Sequence, residues 1–75
     1  MEYGLHELAQ GQRGIITALQ GADPMARRLG DLGFTPGTPV ACLYKSPAGD
    51  PRAYGIRGTV IALRQDDAAR VHIRL

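Results

Sequence analysis

Between Arg27 and Val40 the chain reads RRLGDLGFTPGTPV, leaving a helix, turning and starting a strand within a few residues. No other stretch restricts the possible folds so strongly. Asp23 is a good helix N-cap, Pro24 stands at the first helical position, where its missing N–H costs nothing, and Met25, Leu29 and Leu32 recur at helical spacing. Gly33 then supplies the left-handed residue that ends a helix, which sets Phe34 against Leu29 in the apolar contact of a Schellman ending. Thr35-Pro36-Gly37-Thr38 follows, with Pro36 and Gly37 at the central positions of a type II turn. A helix of about nine residues does not persist alone in water, so its stripe must pack on the rest of the chain.

The rest reads as strand. Gly14 to Leu19, Val40 to Tyr44, Arg52 to Arg57, Thr59 to Arg64 and Val71 to Leu75 are rich in β-branched residues or alternate, and glycines and prolines bound them. Leu5 to Gln10 reads as a helical turn or ordered lead-in that brings Leu5 and Leu8 to one side, and Gln65 to Ala69 as a single helical turn. The expectation is a mainly β fold of five short strands with one short α-helix between the first and second, bent toward a barrel because strands this short have one core to share.

A chain of 75 residues has room for one domain, here residues 1 to 75, and none for a second core. Nine Lys and Arg stand against seven Asp and Glu, and only Arg27-Arg28 are adjacent, so the electrostatic footprint of a nucleic-acid binder is weak. Cys42 has no second cysteine to pair with, and no run of about 18 apolar residues or leader pattern occurs. These features point to a cytoplasmic protein that does not insert in a membrane.

The chain resembles the FeoA family of bacterial ferrous iron uptake. The resemblance runs through Leu5-x-x-Leu8-x-x-Gly11-x-x-Gly14-x-Ile16, Arg28-Leu29-Gly30-Asp31-Leu32-Gly33-Phe34-x-Pro36-Gly37, Gly49-Asp50-Pro51, Gly58-x-x-Ile61-Ala62-Leu63-Arg64 and Asp67-Ala68. It implies an SH3-like barrel with the helix after its first strand, and a partner, the membrane transporter FeoB with its cytoplasmic G-domain. The residues themselves call for no cofactor.

The residues themselves carry little chemistry. His6, His72, Cys42 and the acids form no close-spaced ligand set, and no nucleophile motif or phosphate loop is present, so neither an enzyme nor a metal site is expected. Cys42 reads as a small buried hydrophobe, and His6 and His72 as solvated. On the helix, Met25, Leu29 and Leu32 face the core, while Arg27 and Asp31 lie opposite as an exposed ion pair and Arg28 lies at the boundary. That outer face is either merely solvated or part of a partner-binding surface. Two other functions compete: a small nucleic-acid-binding barrel, for which Phe34 and three tyrosines offer little stacking material, and a self-associating, homo-oligomeric metal-sensing module like the C-terminal domain of iron-dependent repressors.

Overall fold

Alternation along the strands sets the sheet's two faces, and the computed structural model, which describes residues 1–75, gives each strand its partners. Six strands form one antiparallel sheet: β1 (Glu2–Gly4), β2 (Arg13–Leu19), β3 (Pro39–Lys45), β4 (Arg52–Ile56), β5 (Thr59–Leu63) and β6 (Val71–Arg74), in the order β1-β6-β2-β3-β4-β5. Helix α1 (Pro24–Asp31) connects β2 to β3, a 3₁₀ turn (Leu5–Glu7) follows β1, and the one-turn α2 (Gln65–Ala68) connects β5 to β6. Register shifts between Ile16 and Ala18 and between Cys42 and Tyr44 bend the sheet around its core. Leu5, Leu8, Ile16, Leu29, Phe34, Val40, Cys42, Tyr54, Val71 and Ile73 are all buried there.

Five strands were expected and are found. The sixth, β1, pairs Tyr3 with Ile73 and Gly4 with His72. Its three residues have neither alternation nor β-branching, so only the presence of β6 beside them makes a strand. The lead-in is the 3₁₀ turn, and Leu5 and Leu8 do reach the core.

Helix α1 begins and ends as its sequence dictates. Asp23 Oδ1 accepts the Ala26 N–H at 3.3 Å and Pro24 is the first helical residue. At the far end the Phe34 N–H donates to the Leu29 carbonyl and the Gly33 N–H to that of Gly30, both at 3.0 Å, with Gly33 at φ +111°. Those two bonds are the Schellman pair. Thr38 N–H donates to Thr35 O at 3.1 Å and Gly37 has φ +88°, closing the type II turn.

The helix stripe differs from expectation in two residues, Leu32 and Ala26. Leu32 is the C-cap and is 38% exposed, and the buried helix residues are Ala26 and Leu29, with Met25 partly covered. The left-handed step at Gly33 swings Phe34 into the core position that a longer helix would have given to a later turn, and Leu32 is left at the rim.

Candidate functional site

The outer face of α1 carries the sequence-predicted partner residues. Arg27, Arg28 and Asp31 are all exposed, and no ion pair joins Arg27 to Asp31. Such a pair in open solvent gains only a few tenths of a kcal/mol, too little to hold two long side chains together. The structure's ion pair is elsewhere: Arg70, just before β6, bonds the N-cap carboxylate of Asp23. That hydrogen bond holds the Asp23 carboxyl below the usual carboxylate range and raises Arg70 in turn. The start of α1 is thereby fastened to the last strand.

Arg57 does the same at the helix's other end, and the sequence reading missed it. Arg57 and Gly58 form the two-residue turn of the β4–β5 hairpin, at φ 49° and 77°, with Ile56 paired to Thr59 across it. A two-residue loop ending in glycine between strands is the legible signal for such a turn, although arginine is an unusual first residue in it. From there the guanidinium Nη2 donates to Thr38 Oγ1 at 3.3 Å and Thr35 Oγ1 at 3.4 Å, and those two hydroxyls are 3.0 Å apart. The arginine stem crosses Gly33 so closely that a Cβ there would lie 2.8 Å from Arg57 Cδ. Gly33 therefore answers two demands, a left-handed backbone and room for Arg57.

A third arginine ties the opposite end of the sheet. Arg52 donates through Nε to the Gly49 carbonyl at 3.0 Å and through Nη1 to the His6 carbonyl, fastening the β3–β4 loop and the 3₁₀ turn to β4. Asp50 Oδ1 accepts the Gln65 N–H at 2.9 Å, capping α2 from that loop. The histidines are less solvated than expected. His6 is half-buried with Nδ1 unpartnered, and His72 Nε2 lies 3.3 Å from Gln20 Oε1.

Cys42 is fully buried beside Tyr54 on the next strand, as a core residue. Burial pushes the Tyr54 phenol above its ordinary range, and its hydroxyl has no hydrogen-bond partner. No three His, Cys, Asp or Glu side chains come together in a way that could hold a metal ion.

Arg27, Arg28 and Asp31 on α1 and Leu43 and Val60 on the sheet remain exposed. The model of the FeoA domain matches residues 3–75. The chain belongs to the FeoA family. It is 30% identical over 71 residues to an Fe(2+) transport protein A/Fe(2+) transporter FeoB fusion protein of Porphyromonas gingivalis, covering 95% of this chain and 8% of that protein's length. Among solved structures, FeoA of Stenotrophomonas maltophilia complexed with zinc, a prokaryotic SH3 domain protein, superposes with a TM-score of 0.86 at 33% identity over 99% of this chain and 89% of that one. A FeoA-like protein from Clostridium acetobutylicum superposes with a TM-score of 0.90 at 26% identity, covering 99% and 86%. The SH3-like fold and the link of this FeoA domain's family to ferrous iron transport stand on these matches. No helix of this FeoA domain is long and apolar enough to cross a membrane.

Proposed function

We propose that this chain is an accessory, regulatory domain of ferrous iron uptake that binds the cytoplasmic part of a FeoB-like transporter and biases it toward one conformation. It acts there by differential affinity for two states of its partner, with no chemistry of its own. The Porphyromonas gingivalis relative carries this reading, because its name joins the two proteins in one chain. Tethering raises effective concentration, an advantage only for modules that touch. The exposed Arg27, Arg28 and Asp31, free of any ion pair, are the charged part of the contact.

The test is the double change Arg27→Glu, Arg28→Glu. Exposed substitutions usually alter stability by about 0.5 kcal/mol or less, whereas reversing interface charge can cost several kcal/mol of affinity. The variant should therefore melt like wild type and bind the transporter's cytoplasmic part more weakly by isothermal titration calorimetry. Arg64→Glu is the control, since Arg64 is exposed and outside every ion pair; Arg70 is unsuitable because it holds the start of α1. Wild-type binding by the folded double variant would return the helix to a purely structural role.

A further inference from the structure

A groove of about 490 Å³ lies on the outer face of the sheet between β3 and the β4–β5 hairpin. The register explains it. Arg13 is opposite Ala41, Ala41 opposite Gly55 and Gly55 opposite Val60, so one row of side chains crosses four strands on the same face. At Gly55 the row has no side chain and dips. Leu43 borders the dip from β3, with its two methyl carbons 3.3 Å from where a Cβ of Gly55 would stand. Leu43 and Val60 are 42% and 60% exposed, two large apolar side chains facing solvent on either side of a glycine.

The groove's charge is one-sided. Arg13 and Arg57 line it, no Asp or Glu does, and neither arginine is in an ion pair. Arg57 is pinned by its bond to Thr38, so its charge is held beside the apolar floor without further loss of side-chain freedom. Next to the groove, β5 pairs only with β4, which leaves one edge of its backbone open to an extended segment.

We propose that this groove binds an extended segment of the transporter's cytoplasmic part, with an apolar side chain over Gly55 between Leu43 and Val60 and carboxylates meeting Arg13 and Arg57. The inference rests on the partner proposed above and names the surface and the chemistry of the segment. The stem of Arg57 also lies against Gly33, so the groove adjoins the C-terminal end of α1. In a contact spanning both, the apolar groove is the anchor and the helix charges form the rim.

The experiment titrates the purified cytoplasmic part of the FeoB-like transporter into wild type, Val60→Asp, Leu43→Asp, Arg13→Glu, Arg13→Lys and the control Arg64→Glu, with an amide NMR spectrum of each variant as a check of folding. Val60→Asp and Leu43→Asp should each weaken binding at least about tenfold, the scale of a truncated anchor. Arg13→Glu should weaken it severalfold and reduce its salt dependence, and Arg13→Lys should keep most of it. Wild-type affinity in folded Val60→Asp and Leu43→Asp, with weakening confined to the helix variant, overturns the groove while leaving the partner. No binding by wild type overturns the partner and this occupant together. Displacement of the transporter by a single-stranded oligonucleotide, or loss in Val60→Asp of self-association alone, assigns the groove to another occupant and overturns the proposal.

Discussion

Gly33 and Gly55 both leave out a side chain, and the surroundings turn the same omission to opposite ends. At Gly33 the vacated space is filled by the stem of Arg57, which comes from a distant hairpin and hydrogen-bonds Thr35 and Thr38. At Gly55 the nearest atoms are the methyl groups of Leu43, and the space opens to solvent as a groove. The helix end is a lock and the sheet face is a vacancy. In a domain this small, with most apolar side chains committed to one core, a vacancy on the outer face is the more informative of the two, because packing does not require it.

The largest effect should separate the two glycines directly. Gly33→Val must hold a β-branched residue at φ +111° and displace Arg57, so a loss of about 2 kcal/mol or more is expected, or a melting point lower by roughly 10 °C. Gly55→Ala meets only movable methyl groups and should cost less than about 1 kcal/mol while filling part of the groove. Equal melting points for the two by circular dichroism would break the comparison.

A smaller effect dissects the lock itself. Arg57→Ala removes the bonds to Thr35 and Thr38 yet keeps a side chain at positive φ, for a loss of about 1 kcal/mol. Arg57→Gly loses the same bonds but relieves the backbone, so it should melt between Arg57→Ala and wild type. The reverse order would mean that the freedom glycine adds to the unfolded chain outweighs the relief of the positive φ at residue 57.

The smallest effect belongs to the other end of the same helix, where an exposed ion pair stands in place of a packed arginine. Asp23 titrates lower in the folded chain than in the unfolded one, so its contribution is present above the ordinary carboxyl pKa of about 4 and is lost as pH falls through the folded value. Arg70→Gln should therefore lower the melting temperature slightly at neutral pH and converge with wild type in acid, which flattens that limb of the profile. A profile as steep in the variant as in wild type would remove the ion pair from the account of α1.

Legibility followed the range of the interactions. The cap at Asp23, the proline after it, the left-handed Gly33, the contact of Leu29 with Phe34 and the turn at Pro36-Gly37 all join residues within a few positions, and all are present in the structure. Alternation likewise placed five strands, because a side-chain period of two is a property of neighbours. Leu32 was misassigned because spacing identifies a face of the helix without saying where that face ends.

What the sequence by itself determined, then, is which elements form, where α1 starts and stops, and which family the chain resembles. Only the tertiary structure decided the edge strand β1, the pairing of Asp23 with Arg70, the passage of Arg57 over Gly33 and the row from Arg13 to Val60. Each of these joins residues far apart in the chain, and strand register brings them together. A shift of one residue would turn the row's side chains to the opposite face, so the groove exists only once the core has selected the register.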